Sequence, residues 1–209
     1  MPMSSSPSGA QPPTRVLLVR HGQSEWNAEG RWQGQADPPL TDLGRLQARE
    51  AAGALGTVDA VWASDLQRAV ETATIIADQL GVGPVVVDPD LRERDAGEFS
   101  GLTRPEIAAR FPGYLDDGRR PPGWEPDEAL VARALRALHA IAAEVPGGDV
   151  LVITHGGLVY ALEQHLGEEF VRLANAEGRW LEVGAGAALR LGERVLLSAP
   201  EDTTVPNQI

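Results

Sequence analysis

The 209-residue chain contains no cysteine. That absence excludes disulfides, thiolate nucleophiles and cysteine-ligated zinc, and makes a reducing cytoplasm the expected location. Long apolar runs are also missing, so no segment is expected to span a bilayer. Residues 1–13 are rich in Ser, Pro and Gly and hold no apolar stretch, so they suit neither a secretory signal nor an anchor. Residues 1–14 therefore read as a disordered tail. Positive charge is scarce, with 18 Lys+Arg against 30 Asp+Glu and a net charge of −12. Such a surface repels nucleic acid and anionic membranes, so neither is an expected partner. A few arginines focused in one cleft still suit a small anionic ligand.

What remains is one domain's length of alternating strands and helices. Residues 16–19, Val-Leu-Leu-Val, have the continuous apolar pattern of a strand buried on both faces of a parallel sheet. Residues 42–55 read as a helix, with Thr41 as N-cap and Leu43, Leu46 and Leu55 as apolar anchors. A second strand is expected over 60–63. Residues 66–80 then carry Leu66, Ala69, Val70, Ala73, Ile76, Ala77 and Leu80 at helical spacing behind the capping candidates Ser64 and Asp65. A third strand falls at 85–87. Residues 88–125, rich in Gly, Pro, Arg and Asp, read as a long irregular stretch of the kind that is more often functional than idle. A helix over 127–145, a fourth buried strand over 150–153 and a helix over 158–166 follow. A terminal hairpin is expected from 187–191 and 194–198 around Gly192-Glu193. This alternation predicts an α/β fold: a three-layer α/β/α sandwich with a mostly parallel central sheet, in a single domain over 15–198 followed by a tail over 199–209.

His21 and His155 lie just past two of the apolar strands, and each precedes a glycine. Strand ends of one polarity share an edge of a parallel sheet, so the two histidines can share one crevice. Arg20 precedes His21. Arg68 falls in the first turn of the 66–80 helix, where the helix dipole disfavours a cation. Either Asp65 or Glu71 pairs with it on the surface, or an oxyanion bound at the helix N-terminus offsets it. These residues, with Asn27 and Glu93, fit phosphoryl transfer, whose loose transition state needs positioning and cationic stabilisation more than covalent chemistry. Nearby arginines would keep the His21 imidazole neutral and nucleophilic. A carboxylic acid would protonate the departing alkoxide and later activate water; Glu93, Asp95 and Glu98 are rivals for it on chemistry alone. Arg94, Arg104, Arg119 and Arg120 are candidates for holding the rest of an anionic substrate. His139 reads as a packing or surface residue, His165 as a complement to a helix C-terminus, and Trp26 and Trp32 as packing or exposed residues. No HExxH-type pair occurs, and Arg20 and Arg68 would repel a cation, so neither a metal nor another cofactor is expected.

Taken in order, the words Leu18-Val19-Arg20-His21-Gly22-Gln23-Ser24-Glu25-Trp26-Asn27, Gln33-Gly34, Leu40-Thr41-Asp42-Leu43-Gly44, Ser64-Asp65-Leu66-Gln67-Arg68-Ala69, Leu91-Arg92-Glu93 and Thr154-His155-Gly156-Gly157 resemble the histidine phosphatase superfamily. This is the group that includes cofactor-dependent phosphoglycerate mutase. The resemblance implies that His21 is the phosphorylated nucleophile and that Arg20, Asn27, Arg68 and His155 hold the phosphoryl oxygens. It places Glu93 at the proton donor's position, and Ser24, Gln33, Gly34 and the Gly156 amide on the substrate side. The implied partner is a small phosphorylated metabolite, with no cofactor; a homo-oligomer is left open. From Ser64 to Thr103 the chain is similar to the short phosphatases of the family, such as glucosyl-3-phosphoglycerate phosphatase. The Gly-Gly-Glu-Ser word common in such phosphatases is replaced here by Glu125-Pro126-Asp127-Glu128.

Two rivals are weighed against hydrolysis. In mutases a long insertion after the Glu93 region keeps water from the phosphoenzyme. Here only residues 120–128 separate Arg119-Arg120 from the next helix, which favours a phosphatase, although the arginine pair itself is mutase-like. A non-catalytic phosphate-binding module needs no nucleophile and acid together, so His21, Glu93 and His155 argue against it.

Overall fold

The computed structural model describes residues 12–184, 186 and 188–207. Among these, six strands form one sheet: β1 (Thr14–Arg20), β2 (Ala60–Ala63), β3 (Val86–Val87), β4 (Asp149–Thr154), β5 (Glu177–Val183) and β6 (Leu189–Leu196). Their order is β3-β2-β4-β1-β5-β6, parallel from β3 to β1 and antiparallel from β1 through β6. The helices are α1 (Glu25–Ala28), α2 (Asp42–Ala54), α3 (Gln67–Leu80), α4 (Arg104–Arg110), α5 (Asp127–Glu144) and α6 (Gly156–His165).

Strand side chains alternate between two cores, as a period of two requires. Val16, Leu18, Val150 and Val152 pack with α5 and α6; Leu17, Val19, Leu151 and Ile153 pack with α2 and α3. The fold is the expected α/β/α sandwich. A third, smaller core of Trp32, Ala96, Phe99 and Ile107 lies outside these two layers.

The structure corrects several boundaries. Thr14 belongs to β1 and is buried, its hydroxyl donating to Val145 O, so the expected N-terminal tail ends earlier; residues 1–11 of that tail lie outside the described residues. On α2 the buried face is Gly44, Gln47, Ala48, Ala51 and Ala52, while Leu43, Leu46 and Leu55 are half-buried. Small residues are needed there because α2 lies hard against the loop after β1. Helix α3 has Leu66 as N-cap without a side-chain cap; Asp37 instead accepts from the Gln67 amide at 2.7 Å across the chain. The irregular stretch contains α4, closed by a Thr103/Glu106 capping box.

The terminal hairpin is β5 with β6, so Gly192-Glu193 lies inside β6, and beyond the paired ends Val183 and Leu189 the Gly184 amide donates to Ala188 O. Of the expected hairpin, Ala187 lies outside the described residues. The 199–209 tail contains a 3-10 turn at Pro200–Asp202 and docks on the domain through residue 204. Among the described residues no helix is long and apolar enough to cross a membrane.

Candidate active site

The site grows from the central strand pair. Strands β1 and β4 are parallel neighbours with Arg20 opposite Thr154, so their carboxyl ends deliver His21 and His155 side by side. The two rings meet edge to face, centroids 5.1 Å apart. Beyond His21 the loop turns against α2, where a Cβ on Gly22 would sit 2.3 Å from Gly44 O. Neither glycine can therefore carry a side chain without separating loop and helix.

The His21 ring is fixed in one tautomer. Its Nδ1 lies 2.6 Å from Gly22 O, which can only accept, so Nδ1 carries the proton. Nε2 is then a lone pair, and it accepts from Arg68 Nε at 3.2 Å. Burial first, then the Arg68 and Arg20 charges, holds this imidazole well below the ordinary histidine pKa. His155 is lowered in the same way by burial, Arg68, His21, Arg133 and Arg20. Both of its ring nitrogens are buried and lack a hydrogen-bond partner among the described residues.

Arg68 is fully buried and does not make the surface pairing open to it in the sequence. Its Nη1 donates to Ala36 O at 2.7 Å and its Nη2 to Gly34 O at 3.0 Å; burial lowers its pKa to about 10. Arg20 Nη1 donates to Leu173 O at 2.8 Å while its Nε has no partner among the described residues. Both guanidiniums are aimed by hydrogen bonds to backbone carbonyls, with Asp37 reaching Arg68 Nη1 only at 4.0 Å, which leaves much of their charge available to an anion.

Of the three rival carboxylates only Glu93 is buried. Its Oε1 accepts from the Arg94 amide at 2.7 Å and its Oε2 from the Gly157 amide at 3.0 Å. Asp95 is exposed and turned back onto the Gly97 amide, and exposed Glu98 pairs with Arg110. Arg133, buried on α5, donates to Asp90 O, Arg92 O and Glu93 O and grips the Glu125 carboxylate, and so fixes the segment that carries Glu93.

Arg20, His21 and Glu93 open onto a cleft of about 310 Å³ lined also by Asn27, Gln33, Gly34, Arg94 and Arg120 among others, whereas Arg68 and His155 are fully buried against His21 and are not part of the lining. Ser24 lies behind this wall, capping α1 and donating to Gln33 Oε1 at 2.7 Å. Gly156 packs beneath Arg20, and it is Gly157 that lines the cleft. Arg104 is exposed on α4, away from the lining, and Arg119 pairs with Asp117. Arg94 reaches Asp127 at 2.6 Å, whereas Arg120 makes no salt bridge among the described residues, feels the Asp127 charge from further away and lies 4.5 Å above the Trp124 ring. Trp32 is both buried and part of the lining. His139 and His165 are exposed on α5 and α6. Among the described residues no group of three or more His, Asp or Glu side chains could hold a metal ion.

The sequence reading passed over Arg31, Trp124, Tyr160, Gln164 and Phe170 in the lining, and Arg133 and Asn175 behind it. Arg133 did leave a signal: a charge on the apolar face of α5, in register with Leu130, Ala134 and Ala137.

Comparison with known proteins gives the family. Residues 16–188 match the family model described as the histidine phosphatase superfamily (branch 1). The Arabidopsis thaliana protein "Phosphoglycerate mutase-like protein 4" is 40% identical over 157 residues, covering 70% of this chain and 68% of that protein. The metal-independent phosphoserine phosphatase of the same plant is 39% identical over 159 residues, covering 71% and 67%. Mycobacterial glucosyl-3-phosphoglycerate phosphatase, solved with VO3, superposes with a TM-score of 0.78 at 31% identity, over 86% of this chain and 97% of that one. The chain belongs to the histidine phosphatase superfamily, with short phosphatases among its relatives.

Proposed function

We propose that the chain is a metal-independent phosphatase that hydrolyses a small phosphomonoester through a phosphohistidine on His21. The observation that carries this is the unprotonated Nε2 of His21, bonded to Arg68, near enough to Arg20 to feel its charge and packed edge to face with His155, in a cleft that also presents the buried Glu93 carboxyl group. Arg20, Arg68, Asn27 and His155 take the phosphoryl oxygens, and Arg68 Nε transfers its hydrogen bond from Nε2 to one of them as substrate enters. The Nε2–P bond forms as the ester P–O bond breaks, and the proton of the Glu93 carboxylic acid passes to the departing oxygen. Glu93, now a carboxylate, takes a proton from water; the water oxygen bonds to phosphorus, the P–Nε2 bond breaks, and phosphate leaves. Metal independence follows from this division of labour, in which the arginines supply the positive charge.

Two measurements test the reading. Rapidly quenched enzyme should carry an acid-labile, base-stable phosphoryl group on His21 by mass spectrometry, and a label elsewhere would remove His21 from the role. Glu93→Gln should slow phosphorylation by an alkyl phosphate far more than by p-nitrophenyl phosphate, whose phenolate leaves without a proton. Equal loss with both in a single turnover would remove Glu93.

Phosphoglycerate mutation is the second reading, favoured by Arg120, which lines the cleft beside Trp124. Transfer of the label to a phosphoglycerate in preference to water would select it.

A further inference from the structure

Residues 199–209 look like a polar tail in the sequence, yet Thr204 lies at the centre of a hydrogen-bond network behind the loop that carries His21. Its hydroxyl donates to Asn175 Oδ1 at 2.9 Å and accepts from Gln47 Nε2 at 3.1 Å. Asn175 and Gln47 are both fully buried. Asn175 Nδ2 donates to His21 O at 2.9 Å and to Asn27 Oδ1 at 3.3 Å. Gln47 Oε1 accepts from the Gln23 amide at 2.7 Å. Backbone contacts hold the segment in place, Asn175 N donating to Thr204 O at 2.8 Å and Gln47 Nε2 to Asp202 O at 2.7 Å.

A primary amide can flip, exchanging donor for acceptor at little steric cost. Flipped, Asn175 would present oxygen to the His21 carbonyl, and Gln47 would present nitrogen to the Gln23 amide; both contacts would turn repulsive. The fixed polarity of His21 O, the Gln23 amide and Asp202 O selects the orientations shown. The Thr204 hydroxyl, donor and acceptor at once, then bridges the two amides, giving its proton to Asn175 Oδ1 and receiving one from Gln47 Nε2, which holds their positions together. The backbone at 21 and 23 and the side chain at 27 are thereby held by two amides joined through one hydroxyl.

We infer that Thr204 is a positioning residue for the His21 loop, acting through Asn175 and Gln47, and that the segment after β6 is part of the catalytic scaffold. The catalytic part of this inference rests on the phosphatase reading; the mechanical part does not. Arg20 and Arg68 are anchored separately, on Leu173 O and on Gly34 O and Ala36 O. Of the groups proposed to hold phosphate, the network reaches only Asn27, so loosening it should impair attack, where small misplacements are costly, more than phosphate binding.

The test compares Thr204→Val, which keeps the shape and deletes both hydrogen bonds, with Thr204→Ser, which keeps the hydroxyl. Thr203→Val serves as control, since the Thr203 hydroxyl bonds only to Ala199 O and Ser198 Oγ among the described residues. With p-nitrophenyl phosphate, Thr204→Val should lower kcat about tenfold with KM within about twofold, and Thr204→Ser should restore kcat. Hydrogen exchange should quicken over residues 20–28 in Thr204→Val and stay unchanged in Thr203→Val. A wild-type chain that hydrolyses no phosphomonoester would defeat the phosphatase reading, while the exchange measurement would still decide the coupling. Unchanged exchange over 20–28, native kcat in Thr204→Val, a loss confined to KM, or no rescue by serine would overturn the inference.

Discussion

Lowering the pH should unfold this protein through its two buried histidines, by an amount that can be worked out. His21 and His155 are held neutral in the native state by burial and by neighbouring arginines, with pKa values well below the ordinary 6.5. In the unfolded chain both take up protons near that ordinary value. Below it the unfolded state binds more protons than the native state, so unfolding free energy must fall as pH falls. The contribution is complete above the unfolded pKa and is lost down to the native one. Between pH 7 and pH 5.5 the loss is roughly 1 kcal/mol for each histidine and roughly 2–3 kcal/mol for the pair, the native values lying well below the ordinary one. For a chain of this size that corresponds to a Tm lower by roughly 5–10 °C. Urea unfolding at the two pH values, in phosphate-free buffer, measures it. His21→Gln and His155→Gln should each reduce the pH dependence by about one histidine's share, roughly 1 kcal/mol over this range, whatever they do to absolute stability, since the carboxylates are the same in every variant. If both variants keep the wild-type pH dependence, the histidines are not the neutral buried groups described here.

Gly157→Ala would place its Cβ 2.2 Å from Glu93 Oε1 and must displace that carboxylate; hydrolysis should fall by about 100-fold, and near-native steady-state rates would show that the carboxylate position is unimportant. Arg68→Lys keeps a charge but loses the fork that reaches Gly34 O and Ala36 O, so phosphate inhibition should weaken and stability drop by about 1–3 kcal/mol, read from product-inhibition kinetics and urea melts. Hydrolysis of p-nitrophenyl phosphate should persist in EDTA and be inhibited by vanadate, a transition-state mimic; activity abolished by EDTA and restored by a divalent cation would contradict the arginine-based chemistry.

The buried parallel strands were legible because β1, β2 and β4 are continuous apolar runs, and with them came the shared edge that brings His21 near His155. β5 was not. Its sequence, Glu-Gly-Arg-Trp-Leu-Glu-Val, mixes charges with apolar residues because the strand pairs antiparallel and is only partly covered. α4 lay hidden in a Gly- and Pro-rich stretch, although Thr103 and Glu106 at capping-box spacing, with a proline between them, marked its start. On α2 the largest apolar residues were chosen as anchors, whereas close approach to Gly22 selects Gly44 and alanines. Arg133 and Asn175 act through backbone carbonyls distant in sequence, and no local pattern announces which carbonyl will lie opposite. Arg104 was grouped with Arg94 by residue type alone, and the capping turn of α4 carries it away from the cleft.

The in-register pairing of β1 with β4 makes the histidine pair a gauge of correct folding. The main-chain hydrogen bond from His21 N to Thr154 O at 3.0 Å is the last rung of that ladder. A slip of one residue would turn every side chain of the moved strand to the opposite face. Leu17 and Val19 would then face α5 and α6, and Arg20 would stand where His21 now meets His155. No partly mispaired chain can hold half of this site, because its two halves come from strands separated by well over a hundred residues. Recovery of activity on refolding should therefore report completion of the central sheet, and should lag behind the return of helical signal.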